Sequence, residues 1–347
     1  MARVITLGAL KLGGKFPVCI KAMLKTPGHK RAQLIREAVT LEKEGAQAIR
    51  LAVKEAGDAK LYAILRNHVN VPLVADIHFH YKTALAALEA GFEGIRLNPL
   101  NIVKPDEVKE VVRSAKSRNV SIRVGINSGG FKKRFNTSAA QASAMVKAAG
   151  GYLAMFEKEG FFNTSVSLKA SDIATTIQAN ELFAKKYDYP LHLGVTASGP
   201  FLEGVVKSSI AMGGLLKRGI GNIIRVSLTA QSFWEVRVAR YILQALGLAE
   251  YGPQIISCPT CSRCQVNLID IVEKFQKELV LKKFDKPLRI ALMGCVVNGP
   301  GEARQADIGV AFGNKRAAIF KGDKILRWSR EESVVGDLYK EVRRIWK

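Results

Sequence analysis

Apolar and polar positions along the first 250 residues repeat one unit: a short apolar run rich in β-branched residues, a polar loop, then a segment whose apolar residues recur three and four apart. The runs predict strands over 17–22, 46–53, 71–77, 94–98, 120–126, 164–169, 191–196 and 222–228. The segments between them carry helix signals. Over 105–118, Pro105 suits the first helical position, Asp106 and Glu107 suit the positive end of the helix, and Val108, Val111, Val112 and Ala115 form one face before a stop at Asn119. Over 31–44, Leu34, Ile35, Ala38 and Leu41 share a face that ends at Gly45, and over 233–246 Val236, Ala239, Leu243 and Leu246 do the same before Gly247.

Eight strand–helix alternations in this length predict a (β/α)8 TIM-type barrel, because an open doubly wound sheet would more often carry a glycine-rich dinucleotide turn early in the chain. Residues before Phe16 read as an N-terminal hairpin or lid. Beyond Tyr251-Gly252-Pro253 the rhythm changes to a cysteine cluster, a helix over 268–281, a strand over 288–293 and a glycine-rich turn. A strand pair over 308–311 and 317–320 and a basic amphipathic C-terminal helix follow. The expected organisation is therefore a barrel over 1–250 and a small α+β domain over 251–347.

Composition narrows the class. Among 347 residues, 48% are hydrophobic and 24% charged, which excludes a disordered or collagen-like chain. No apolar run approaches the roughly 18 residues of a membrane span, and the first residues lack a basic segment followed by a long apolar one, so the expectation is a soluble, cytoplasmic protein without a membrane partner. The net charge of +23 would draw in anionic substrates, nucleic acid or acidic proteins, or simply be solvated. Aromatic residues are only 7% and no nucleic-acid-binding motif is present, which argues against nucleic acid.

In a barrel of this kind the chemistry sits at the C-terminal ends of the strands. Here Arg50, Arg96, Arg123, Lys169 and Arg225 fall in or just after strands two, four, five, six and eight, inside otherwise apolar runs. Burying several cations without counter-charge costs several kcal/mol each as an order of magnitude, so an anion such as a phosphate or diphosphate is expected among them. The competing reading is that Asp76 and nearby carboxylates neutralise them. Asp76 and His78 alternate to one face of strand three and could supply hydrogen bonds or proton transfer to a ligand. Asn98, Asn127, Thr196 and Ser227 offer neutral hydrogen bonds at the same level.

Four of the five cysteines crowd the last quarter. Cys258-Pro259-Thr260-Cys261-Ser262-Arg263-Cys264 with Cys295 provides enough thiolates for one metal centre. Spacing leaves two possibilities open, a closed structural zinc site and an iron–sulfur cluster.

The stretch Ser257 to Arg263, together with Met293-Gly294-Cys295-Val296-Val297-Asn298-Gly299-Pro300-Gly301-Glu302-Ala303, resembles the signature of the 4-hydroxy-3-methylbut-2-enyl diphosphate synthase family, also written IspG or GcpE. The resemblance continues through Val71 to Phe79, Ile95 to Pro99, Ile122 to Asn127, Val166 to Asp172, Leu191 to Thr196 and Ile224 to Leu228, and so covers nearly the whole chain. It implies a cytoplasmic [4Fe-4S] oxidoreductase that reductively opens and dehydrates 2-C-methyl-D-erythritol 2,4-cyclodiphosphate in isoprenoid precursor synthesis. Cys258, Cys261, Cys295 and Glu302 would each hold one iron, with Glu302 the exchangeable ligand. Arg50, Arg96, Arg123, Lys169 and Arg225 would clamp the diphosphate, and Asp76, His78, Asn98, Asn127 and Ser227 would line the same mouth. A homodimer and a ferredoxin or flavodoxin electron donor are implied as well.

Departures from the family pattern concentrate at the substrate end. Where the family reads Thr-Glu-Ala-Gly, this chain has Thr196-Ala197-Ser198-Gly199, which removes a carboxylate. Gln-Ser-Met-Thr-Asn is replaced by Lys21-Ala22-Met23-Leu24-Lys25, which adds charge, and Asn-Ala-Gly has become Asn127-Ser128-Gly129. Cys264 is an additional thiol that either competes with Glu302 for iron or packs as a small apolar side chain. These differences leave a second possibility, a relative that keeps the cluster and clamp but reduces another phosphorylated or anionic molecule.

Overall fold

The computed structural model describes residues 1–281, 287–295, 306–313 and 316–345. The chain divides into two compact units, Met1–Ala249 and Glu250–Lys347.

The first unit opens with a hairpin, β1 (Ile5–Leu7) and β2 (Leu10–Leu12), followed by eight strands: β3 (Cys19–Met23), β4 (Ala48–Val53), β5 (Leu73–Ile77), β6 (Gly94–Leu97), β7 (Ser121–Asn127), β8 (Thr164–Lys169), β9 (His192–Leu193) and β10 (Ile223–Ile224). All eight run parallel, in the order β8-β7-β6-β5-β4-β3-β10-β9, and a parallel bridge between Val166 and Leu191 joins the two ends. The result is a (β/α)8 barrel. Helices Arg31–Lys43, Pro105–Ser117 and Ser232–Ala245 lie within a residue or two of their predicted bounds, and Asn119 takes the left-handed conformation (φ 54°) that ends a helix.

The hairpin is a plug, not a lid. Ile5, Leu7 and Leu12 pack on Cys19, Ala48, Val74 and Ile223 at the beginnings of the barrel strands, opposite the end where ligands bind in this fold. Strands seven and eight are shorter than the runs 191–196 and 222–228 predict. Each keeps ladder pairing for two residues. Past them the chain follows the barrel through single bonds, Arg225 N to the Leu193 carbonyl (3.1 Å) and Thr196 N to the Ala170 carbonyl (3.0 Å).

Period two decides what lines the barrel. On β4, Ile49, Leu51 and Val53 face the helices while Ala48, Arg50 and Ala52 face in. The inward positions elsewhere mix charged residues with very small ones. A Cβ at Gly125 would lie 2.5 Å from Arg96 Nε, and one at Gly194 would lie 2.6 Å from Lys169 Nζ, so these glycines make the room that the long cationic side chains occupy.

The second unit is a five-stranded sheet in the order β11-β12-β13-β14-β15, with β11 (Pro253–Ser257), β12 (Leu288–Met293) and β13 (Ile308–Gly313) parallel, and β14 (Arg316–Lys321) and β15 (Lys324–Ser329) antiparallel. Helices Leu268–Leu281 and Val334–Ile345 cover one face, burying Phe275, Leu279, Leu338 and Val342 against Ile290, Leu292, Val310 and Ile319. The helix and the strand over 288–293 coincide with their predicted bounds. The outer strands β11 and β15 were not predicted: β11 is only half-buried, and β15 is mostly exposed with Ile325 and Trp328 open to solvent, so neither shows the apolar run of a central strand.

Candidate active site

Parallel register lines up charged side chains on neighbouring strands. Asp76 on β5 pairs in register with Arg96 on β6, which pairs with Arg123 on β7. Arg50 on β4 reaches the same carboxylate from the other side. Asp76 Oδ1 lies 3.5 Å from Arg96 Nη1 and 3.8 Å from Arg50 Nη1, and its Oδ2 lies 3.7 Å from His78 Nε2. Arg96 also donates to the Gly125 carbonyl (2.9 Å), and Arg225 donates to Ser227 Oγ (2.6 Å).

Arg50, Asp76, Arg96, Asn98, Arg123 and Lys169 are buried; His78, Asn127, Arg225 and Ser227 are half-buried. Asn98 turns its carbonyl oxygen onto Leu100 N (3.2 Å), so part of its hydrogen-bonding capacity holds its own loop instead of facing a ligand. Asn127 sits in register with Lys169 at the ends of β7 and β8.

The charges do not balance. Burial alone would raise the Asp76 pKa, but Arg50, Arg96, Arg123 and His78 outweigh it and hold the carboxyl at about 2. Asp76 faces more cations than one carboxylate can neutralise. Burial first, then mutual repulsion with Arg50 and Arg96, pushes Arg123 well below the usual arginine range, Asp76 only partly opposing. Lys169 is pushed down by burial and by Arg225, Arg123 and Arg50. A guanidinium keeps its proton at neutral pH, so the strain is relieved by an anion rather than by deprotonation. Buried N–H groups await one: Arg96 Nε, Arg123 Nε and Nη2, and Arg225 Nε have no hydrogen-bond partner among the described residues. Leaving such groups unpaired costs about 1–3 kcal/mol each, more when charged.

Sequence reasoning missed three members of this site. His192, fully buried on β9, stands with Nδ1 3.2 Å from Arg123 Nη1. Since arginine can only donate, Nδ1 accepts and the ring is neutral, in keeping with a pKa driven well below 6.5 by burial and by Lys169, Arg123 and Lys21. Its signal was its inward position on strand seven. Lys21, read only as a departure, is 3% exposed inside the barrel. Glu235, on a helix assigned to the outer ring, is 5% exposed, accepts from Leu228 N (2.8 Å) and pairs with Lys25 Nζ at 2.8 Å. Glu235 and Lys25 line a pocket of about 280 Å³ with Met23, Ala197, Ser198, Arg225 and Ser227. Ala197 holds φ 49°, in the left-handed region.

In the second unit the cysteines follow neighbouring parallel strands. Ser257 on β11 pairs in register with Leu292 on β12, so Cys258 and Cys295 leave the sheet at the same end. Gly294 N donates to Cys258 Sγ (3.3 Å), the backbone amide-to-sulfur bond that a thiolate ligand attracts. Cys261 is exposed. Cys264 directs its thiol to the Val266 carbonyl (3.3 Å), packs on the small core and would clash with any side chain at Gly294. That is the behaviour of a packed thiol. Among the described residues no three His, Cys, Asp or Glu side chains gather as ready metal ligands. Glu302 lies outside the described residues. The donor set still suits a soft metal centre: thiols on adjacent strand ends with an amide already directed at one sulfur.

Fold and site together define a (β/α)8 barrel with an anion-seeking mouth, followed in the same chain by a small thiol-bearing α+β unit. The chain belongs to the GcpE family. The GcpE TIM-barrel domain matches residues 2–240 and the GcpE protein C-terminal domain matches 254–344. A relative from Caldanaerobacter subterraneus subsp. tengcongensis, named 4-hydroxy-3-methylbut-2-en-1-yl diphosphate synthase (flavodoxin), is 41% identical over 100% of this chain and 98% of its own length. One of the same name from Dehalococcoides mccartyi strain BAV1 is 43% identical over 97% of each chain. Among solved structures, the Yersinia pestis dihydropteroate synthase superposes with a TM-score of 0.52 at 13% identity, covering 72% of this chain and 100% of that one, a likeness of fold alone. No helix among the described residues is long and apolar enough to cross a membrane.

Proposed function

We propose that this protein catalyses the reductive ring opening and dehydration of 2-C-methyl-D-erythritol 2,4-cyclodiphosphate to 4-hydroxy-3-methylbut-2-enyl diphosphate. The observation that carries the reading is the surplus of buried cations around Asp76, in a chain whose full-length relatives bear that enzyme's name. Arg50, Arg96, Arg123, Lys169 and Arg225 hold the diphosphate oxygens; Asp76 keeps Arg50 and Arg96 in place, and Ser227 keeps Arg225 in place. His78 hydrogen-bonds the ligand from the open side of Asp76, and Asn98 and Asn127 add neutral hydrogen bonds.

Two electrons and one proton are consumed for each ring opened, the carbon–oxygen bond to the diphosphate breaks, and the departing hydroxyl leaves as water. Cys258, Cys261, Cys295 and Glu302 would hold a [4Fe-4S] cluster, which supplies the electrons. The relatives' printed name supports flavodoxin as donor, and the +23 charge favours an acidic carrier of either flavodoxin or ferredoxin type. A cytoplasmic homodimer completes the reading.

The test is turnover by anaerobically reconstituted protein with a reduced donor. Formation of the hydroxymethylbutenyl diphosphate supports the assignment; an inert cyclic diphosphate despite full iron and sulfide content overturns it.

A further inference from the structure

Resting on that reading of the barrel mouth as a diphosphate site, we propose that Lys21 is a further substrate-binding residue, an inward-facing amine deep in the clamp that neither buried carboxylate of the barrel neutralises. The inward positions of β3 are Cys19, Lys21 and Met23. Met23 pairs in register with Arg50, so Lys21 stands one inward position deeper than the arginine, at the level of Ala48.

Every charged group around it either repels it or is already engaged. Arg50 on β4, Arg123 on β7 and Arg225 beyond β10 repel its ammonium, and Lys21 in turn bears on Lys169 of β8 and His192 of β9. Cys19, on its own strand, is held as a neutral thiol by burial, its pKa pushed up to about 11. The two buried carboxylates of the barrel are committed elsewhere: Asp76 to Arg50, Arg96 and His78, and Glu235 to Lys25 and Leu228 N. Lys21 has no carboxylate partner among the described residues.

Of the two lysines that replace neutral residues of the family pattern, only Lys21 adds unneutralised charge. Lys25 spends its ammonium on the carbonyls of Leu228 (2.8 Å) and Ala230 (2.7 Å) and on Glu235. Burial and then the three arginines bring the Lys21 pKa down to about 7, so in the ligand-free protein near neutral pH the amine is a mixture of charged and neutral forms. An entering diphosphate reverses the local potential and draws a proton onto it. Linkage fixes the sign: below the ligand-free pKa the ammonium is already present, and as pH rises above it binding must carry a proton with it and weakens, by up to tenfold per pH unit.

Titrating inorganic pyrophosphate into the full chain by calorimetry, at about pH 7.5 in two buffers of different ionisation enthalpy, measures affinity and proton exchange together. Lys21→Gln restores the residue of the family pattern and is expected to bind about tenfold more weakly, with proton uptake lower by about half a proton or more. Lys21→Arg keeps a permanent charge and is expected to hold affinity while losing that uptake. Equal affinity and equal proton exchange in Lys21→Gln overturn the proposal. So does a parent protein that fails to bind pyrophosphate. If Lys21→Gln does not fold, the comparison of the parent with Lys21→Arg from about pH 6.5 to 8.5 decides, because a parent no steeper than the arginine variant overturns it as well. Pyrophosphate binding is read without turnover. Lys21-dependent uptake in a chain that leaves the cyclic diphosphate unconverted overturns only the catalytic reading, and conversion without that uptake overturns only this inference.

Discussion

Asp76 Oδ1 lies 3.5 Å from Arg96 Nη1 across the paired strands β5 and β6, and this buried carboxylate is the counter-ion that Arg96 shares with Arg50 at the barrel mouth. Removing it unbalances the site. Asp76→Asn is expected to lower the unfolding free energy of the ligand-free protein by about 3–5 kcal/mol, because it leaves Arg50 and Arg96 buried without their counter-ion. Denaturant unfolding measures the loss, and added pyrophosphate is expected to recover part of it.

The same carboxylate sets an acid limit. Its folded pKa of about 2 lies below the ordinary aspartate value, so its stabilisation is fully present above about pH 4 and is lost as pH falls toward 2. Thermal unfolding followed from pH 5 to pH 2 is expected to show this loss in the parent and a shallower dependence in Asp76→Asn.

Removing a cation acts in the opposite sense. Arg123→Met takes away a charge repelled by Arg50, Arg96 and Arg225 and replaces it with apolar volume. We expect the ligand-free variant to melt at a higher temperature than the parent while binding pyrophosphate at least about tenfold more weakly. A variant that loses both stability and binding would mean that the bonds from Arg123 to Ser167 and His192 outweigh the repulsion.

The thiols separate by role. Cys295→Ser is expected to abolish the visible absorbance of the cluster and to lower iron and sulfide content, whereas Cys264→Ala, which loses a bond to the Val266 carbonyl and some packing on the small core, keeps both. Normal metal content in Cys295→Ser would remove that residue from the ligand set.

Ala197 shares a pocket with Arg225, Ser227 and Glu235, at the position where the family pattern has a carboxylate. Ala197→Glu is expected to raise turnover of the cyclic diphosphate by about tenfold or more, within the range general acids contribute. Unchanged turnover would mean that the acid is supplied elsewhere or that the substrate differs.

Local pattern carried much of this protein. Helix 268–281 and strand 288–293 read off the chain to the residue because periods of 3.6 and 2 are properties of neighbouring residues, and charged residues inside apolar runs marked Arg50, Asp76, Arg96, Arg123 and Lys169 as buried in their strands. Strands β9 and β10 outran that logic, since ladder pairing there stops after two residues while the chain continues along the barrel.

Only the closed barrel decided which charges cancel. Lys21 and Lys25 are four residues apart on one run, yet one faces Arg50 and Arg123 from other strands and Arg225 just past a third, and the other is neutralised by Glu235, more than two hundred residues away. Sequence determines which side chains point inward, because that depends on the next residue. Whether an inward charge meets a partner or a rival depends on strands that are remote in the chain and adjacent in space, because Coulomb energy follows distance through the folded interior.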